Sequence, residues 1–404
     1  MEGASGSRFR HRDHVTVNAL WFGVHFQDAA LMAIIIPARL LQLVPENHTK
    51  VLAALSTLVA ITMAIVPPFA GAFSDRRRRR GGDRRIQTAI VLAIDAAALV
   101  AMAQASSVVA LGTAIVVATV GLMAGSTIYQ VLLPEIVPRR LWGTAAGFRG
   151  AMTLVGTVVG LLLAAVLSPR AALLAAAAGV GFSALTLVFV PASPAFTATS
   201  EQRTRPRVRE RRDLIVTLVA RAWIVLGMTL LNTYVLYFFN DVLGIHNATF
   251  DTGLVAGAAM VGAVVSSVAI GVLSDKLDRR MVLCLSGLPM TLAALGFAFT
   301  PNLHAIFVYA VLFGIGYGGV LAVGWALALD SVPELGDVAR DLGIWGTLSN
   351  LPMVVAPALG AVIITTAASP ADGYRWLFAT ASGCFLLGSL TVFAVTSPKA
   401  AHRP

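Results

Sequence analysis

Charge is what this sequence has least of. Of its 404 residues, 12% are Asp, Glu, Lys or Arg and 57% are hydrophobic. A water-soluble domain carries about 25% charged residues, so an ordinary soluble surface cannot be built from this chain. A bilayer is the solvent it suits. Acidic residues are scarcer still, 20 against 30 basic, and no pair of carboxylates stands beside a histidine in a pattern that acid–base catalysis would use. The seven histidines are scattered or terminal, at 11, 14, 25, 48, 246, 304 and 402. The two cysteines, Cys284 and Cys384, both lie inside apolar runs, which excludes a disulfide framework or a thiolate metal site. No GxxxxGK[ST] phosphate loop occurs, so nucleotide drive from this chain has no support. No enzyme activity, cofactor or metal is expected.

What the chain has in abundance is long apolar runs. A membrane span needs about 20 such residues. Twelve windows qualify: 15–37, 51–73, 87–105, 109–132, 143–167, 171–191, 214–239, 252–273, 281–299, 304–328, 343–367 and 374–396. The breaks fall at turn signals such as LVPENHTK and FTPNLH. The widest break, SPAFTATSEQRTRPRVRERRD at 193–213, has six arginines and two prolines. It separates a six-span half, 1–192, from a second one, 214–404. The expected fold class is therefore an all-α polytopic membrane protein of twelve transmembrane helices in two six-helix halves. No small-residue cleavage site follows the first apolar run, so no removable leader is expected.

Lys and Arg set the orientation. With the N-terminus inside, 24 of the 30 basic residues fall in inside tails and loops and four in outside breaks, Arg39, Lys50, Arg170 and Arg375. Both termini are then cytoplasmic and the localisation is a cell inner membrane. The most basic stretch, GAFSDRRRRRGGDRR at 71–85, reads as an orientation signal between two spans, not as a nucleic-acid patch. The expected partners are lipid, protons and a small-molecule substrate, with no nucleic acid, and a monomer is expected.

The basic stretch has an echo. GVLSDKLDRR at 271–280 repeats GAFSDRRRRR at an offset of 200, matching Gly71, Ser74, Asp75, Arg79 and Arg80 to Gly271, Ser274, Asp275, Arg279 and Arg280. The triplets Asn47-x-Thr49 and Asn247-x-Thr249 keep that offset and read as helix caps. Glu135-x-Val-Pro138 returns as Asp330-x-Val-Pro333 with the offset shortened by five, and Gly143 and Gly160 return at Gly343 and Gly360. Ordered matches over several loops argue for two homologous halves, a known transporter architecture.

On these residues the chain resembles the major facilitator superfamily. Its signature is Gly-x-x-x-Asp-Arg/Lys after the second and eighth helices. Here it reads Gly71…Asp75-Arg76 and Gly271…Asp275-Lys276. The loop SDRRRRRGGDRR also resembles the long basic loop of the glycoside–pentoside–hexuronide and sucrose-transporter branches, with Gly82-Asp83-Arg84-Arg85-Ile86 where those have Gly-Arg-Arg-Arg-Pro. The resemblance implies a secondary transporter working by rocker-switch alternating access. It also implies a cytoplasmic gate at Gly71, Asp75, Arg76, Gly271, Asp275 and Lys276, each aspartate receiving a facing helix N-terminus, near Gly343 for Asp75 and near Gly143 for Asp275. Glu135 and Asp330 are further acidic gate candidates, with Arg139 or Arg340 beside them.

Inside the spans, an ionisable residue costs about 2.5–3.5 kcal/mol on insertion scales and is a functional candidate by default. Trp21, His25 and Asp28 share one face of the first span at i, i+4, i+7. Asp28 is the expected proton carrier, as the sucrose-transporter resemblance also implies, with His25 tuning or sharing the proton. A static polar pair that only fixes helix packing is the bland alternative. Asp95 and Arg149 are expected as buried charges neutralised by pairing, either with each other or through Arg149 to Glu135. Arg221, at the start of the seventh span, reads as a headgroup contact and is given no role. Trp21, Tyr129, Gln130, Arg149, Asn232, Tyr237, Trp325, Trp345 and Asn350 are the candidate substrate contacts, each individually as consistent with helix packing.

The leading expectation is proton-coupled symport of a small polar solute, a sugar or glycoside. Antiport export of amphipathic drugs or metabolites competes with it. An intramembrane enzyme lacks a catalytic constellation, and a non-transporting sensor is disfavoured by two intact gating motifs.

Overall fold

The computed structural model of the protein describes residues 11–46, 48–191, 208–244, 248–299, 302–331 and 338–395. Several expected features lie outside these residues: the caps at Asn47 and Asn247, the linker over 193–207, Pro333 and the basic tail residues Arg8, Arg10, Lys399 and Arg403. The chain divides into two compact units, Met1–Thr197 and Ala198–Pro404.

The first unit contains α1 (His11–Ala30), α2 (Ile36–Leu43), α3 (His48–Arg79), α4 (Arg84–Gln104), α5 (Val108–Ile136), α6 (Trp142–Val166) and α7 (Pro169–Leu185). The second contains α8 (Val208–Asp241), α9 (Ala248–Ser274), α10 (Arg279–Phe299), α11 (Leu303–Ser331), α12 (Val338–Asn350), α13 (Pro352–Thr366) and α14 (Pro370–Thr391). Among the described residues, eleven helical runs are long and apolar enough to cross a membrane. The first run, α1 to α2, is not among them; a π turn at Leu31–Ile35 interrupts it. With it, each unit contributes six helical runs, and the chain is a multi-pass membrane protein.

Two expected single spans are interrupted, and proline is at both places. A π turn over Leu31–Ile35 joins α1 to α2, whose first turn holds Pro37. Proline donates no N–H and its ring crowds the carbonyl four residues back, so the helix widens there. The span expected over 343–367 breaks at Leu351, and α13 restarts on Pro352 at its first turn. Elsewhere helices outrun their apolar windows. For example, α3 continues through Arg79, where its four terminal arginines meet the negative end of the helix dipole.

Within the first unit α1 packs on α6 and α7, and α4 on α5 and α7. Gly156 and Gly160, one turn apart on α6, admit the α1 backbone; a Cβ at Gly160 would lie 2.2 Å from the Phe26 carbonyl oxygen. The second unit packs α11 on α9 and α10, and α14 on α8 and α10, around an aromatic core with Phe238 and Phe378 edge to face at 5.0 Å. The two units cap their last long helices in the same way. Ser168 and Ser369 accept backbone N–H groups, and Pro169 and Pro370 occupy the first helical position.

Candidate functional site

The start of α4 and the start of α10 reveal the true alignment of the repeat. Asp83 caps α4 by accepting the Arg85 N–H at 2.8 Å, and Asp278 accepts the Arg280 N–H at 3.0 Å. Arg85 then reaches the Val190 carbonyl at 2.9 Å, and Arg280 the Val395 carbonyl at 2.9 Å. Arg84 donates to Asp75 at 2.7 Å and to Glu135 at 2.9 Å; Arg279 donates to Asp275 at 3.1 Å and to Asp330 at 2.6 Å. Arg84 and Arg85 are thus the counterparts of Arg279 and Arg280. The expected match to Arg79 and Arg80 is incorrect. The first unit has a five-residue insertion between Asp75 and Asp83, which is why Glu135 and Asp330 are offset by 195. The repeated tripeptide Asp83-Arg84-Arg85, Asp278-Arg279-Arg280 was the sequence signal for this.

These contacts form an ion cluster in each unit. Asp75 and Arg84 are sealed, with side chains 1% and 4% exposed. Arg84 also donates to the Ser74 hydroxyl at 2.7 Å, and Arg78 lies 3.9 Å from Glu135. The arginine that meets Asp75 therefore starts the next helix, while Arg76 and Lys276, which follow the two aspartates directly, are exposed. Glu135 and Asp330 meet Arg84 and Arg279. Arg139 sits over the Trp142 ring at 5.5 Å, and Arg340 is exposed. Gly71 and Gly271 are buried, each four residues before its aspartate. The inserted turn closes through Gly81, whose φ of 84° favours glycine. Outside the spans, the hydrogen bond from Arg85 holds the Asp83 carboxyl below its ordinary value.

A second group gathers around Trp21 on α1. The Arg149 guanidinium of α6 lies 3.8 Å from the Trp21 ring centroid, a cation–π contact. His25 stacks on Trp21 at 6.2 Å, and Tyr129 of α5 meets it edge on at 6.2 Å. The Tyr129 hydroxyl donates to the Val17 carbonyl, which ties α5 to α1 and commits that polar group to packing. Gln130 is half-buried on α5. Asp28 is half-buried and has no hydrogen-bond or ion-pair partner among the described residues. The expected pairing of Asp95 with Arg149 is not formed. Asp95 is fully buried and accepts from Gln27 of α1 at 2.9 Å, and no cation pairs with it among the described residues. Glu135, the other expected partner of Arg149, is held by Arg84.

The second unit holds its own cavity, of about 220 Å³, lined by α8, α10, α11, α12 and α13. Arg221 lines it and corrects the headgroup reading. It lies well inside α8 because that helix begins at Val208, and its guanidinium sits over the Trp345 ring at 4.9 Å. Its Nε donates to the buried Ser349 hydroxyl at 3.1 Å. Of the expected substrate contacts, Asn232, Trp345 and Asn350 line this cavity, together with Tyr317. Tyr237 is exposed and packs on Tyr234, and Trp325 is buried away from the cavity lining. Each unit therefore contains an arginine–tryptophan pair that involves its first helix. The residue types are exchanged: tryptophan stands on the first helix of the first unit and arginine on the first helix of the second.

Among the described residues, twelve helical runs form two six-run units, with an Asp–Arg cluster repeated in each. The Major Facilitator Superfamily model matches residues 21–250 and 222–404, and the chain belongs to that family of transporters. The chain is similar to the glucose transporter GlcP of Staphylococcus epidermidis, 27% identical over 33% of this chain and 29% of GlcP. It is 29% identical to the multi-drug resistance efflux pump PmrA of Streptococcus pneumoniae over 37% of this chain and 36% of PmrA. These matches span only about a third of each relative's length. In fold it is similar to the fucose:proton symporter FucP of E. coli, with a TM-score of 0.72 and 12% identity, over 96% of this chain and 99% of FucP.

Proposed function

We propose that the protein is a proton-coupled symporter of a small polar solute, working by alternating access as a monomer in the cell inner membrane with both termini cytoplasmic. The observation that carries the proton coupling is Asp28. It is half-buried, lacks a partner among the described residues, shares a helix face with Trp21 and His25, and lies just before the π turn of the first helical run. A charge with no fixed counter-ion is one whose protonation can change without breaking a bond of the fold. The Asp75–Arg84–Glu135 and Asp275–Arg279–Asp330 clusters serve in this reading as the cytoplasmic gate, and Trp21, Gln130, Arg149, Asn232, Trp345 and Asn350 as solute contacts. Sugars and glycosides are the first solutes to test, since a relative is a glucose transporter.

Antiport export is the second reading, favoured by the largely apolar lining of the second unit's cavity and by the efflux-pump relative. In proteoliposomes, an Asp28→Asn variant should lose proton-driven accumulation and retain counterflow. Normal accumulation by that variant would reject the carrier assignment. The direction of proton flux against a panel of sugars and cationic drugs separates symport from antiport.

A further inference from the structure

Among the residues lining the second unit's cavity, Arg221 is the one charged group, and no Asp or Glu is present. Its contacts are neutral: the Trp345 ring at 4.9 Å and the Ser349 hydroxyl at 3.1 Å through Nε. Among the described residues it forms no ion pair, and neither terminal guanidinium nitrogen makes a hydrogen bond. In the ion clusters of both units, by contrast, Arg84 and Arg279 each hold two carboxylates. A guanidinium inside a membrane span needs a counter-charge, and its planar fork matches a carboxylate with two parallel hydrogen bonds. The rest of the wall is mainly aliphatic, with Ile224, Met228, Val320 and Leu327, and it adds an amide at Asn232 and another at Asn350. The buried indole N–H of Trp345 also has no acceptor.

We infer that this cavity binds a small organic carboxylate, its anionic end on Arg221 and its carbon body against the aliphatic wall. The volume of about 220 Å³ lies below the usual range of ligand pockets, which limits the occupant to a compact acid. The inference rests on the reading of the chain as a solute carrier and names the class of solute. A carboxylate carried inward with one proton is electroneutral, so accumulation would follow the pH gradient and not the membrane voltage.

The test compares each acid with its own amide, which keeps shape and removes charge. Purified protein in detergent is titrated with lactate, benzoate and hippurate, with the three corresponding amides and with glucose, reading thermal stability and tryptophan fluorescence. At least one carboxylate should bind about tenfold to hundredfold more tightly than its amide, the span expected for a charge-assisted hydrogen bond. Arg221→Gln should remove that preference and Arg221→Lys should keep part of it. The wild-type comparison stands by itself if the Gln variant does not fold. Equal binding of acids and amides, no binding by any acid, or a preference that survives Arg221→Gln would overturn the inference. If a neutral solute is accumulated with protons while no acid binds, the carrier reading stands and the inference falls. If an acid binds through Arg221 yet no solute in the panel is moved, the binding site stands and the proton-coupled reading falls.

Discussion

The two units use one ion-cluster design with different insulation. In the first, Asp75 and Arg84 are almost completely sealed, Ser74 adds a hydrogen bond, and an inserted turn brings Arg78 near Glu135. In the second, Asp275 and Asp330 are 9% and 6% exposed around Arg279, with no inserted turn. The shared part is the aspartate at the end of one helix, the arginine at the start of the next and the acid on the long helix after that. The insertion is an addition to this design, not part of it.

Breaking the central arginine should have the largest effect. Arg84→Ala strands a sealed carboxylate and should destabilise by about 3–5 kcal/mol, read as a lowered unfolding midpoint in detergent. Arg279→Ala should fall at or below the low end of that range, because the aspartate it strands, Asp275, is 9% exposed where Asp75 is 1% exposed. Equal losses would mean that insulation does not distinguish the clusters. Next come the paired glycines. A Cβ at Gly160 meets a backbone carbonyl of α1, whereas one at Gly360 meets the ring edge of Tyr234 at 2.2 Å. Backbone cannot swing away and a side chain can, so Gly160→Ala should cost about 1–3 kcal/mol and Gly360→Ala clearly less.

Asp83→Ala should cost about 1 kcal/mol through the lost helix cap, and Asp278→Ala a similar amount. The lowered folded-state value of Asp83 means that its contribution is complete above the ordinary carboxyl value of 3.8 and is lost as pH falls through the lower one. The stability gap between wild type and Asp83→Ala should therefore close in acid. The smallest effect is expected from deleting Arg76–Arg80, which shortens the first loop to the spacing of the second. Arg84 keeps its partners, and the Arg78–Glu135 contact that goes is long, 3.9 Å, so the change should stay within about 1 kcal/mol. Unfolding of that deletion variant would reinstate Arg79 and Arg80 as the counterparts of Arg279 and Arg280.

Much of the fold was legible because a bilayer imposes simple constraints. Apolar runs of sufficient length become helices, since every backbone polar group must be paired within the segment. The π turn and the break at Leu351 were not read, though Pro37 and Pro352 marked both places. The candidate site was less legible. Trp21, His25 and Asp28 were found together because helical spacing places them on one face. Arg221 was set aside because the apolar window begins at 214, whereas the helix begins at Val208 and carries the arginine well inside. The partner of Asp95 was missed because a carboxylate was expected to seek a cation, and the structure supplies the Gln27 amide.

The sequence by itself determined the membrane-spanning character, the duplication and the acidic residues of the ion clusters, because hydropathy and repeated loop motifs are properties of the chain read in order. The tertiary structure decided which arginine meets which acid, and that Arg221 lies in a cavity over Trp345 instead of at a headgroup. Those choices depend on distances between side chains far apart in sequence. A guanidinium finds its partner by reach and geometry across helices, and neither is written in spacing along the chain.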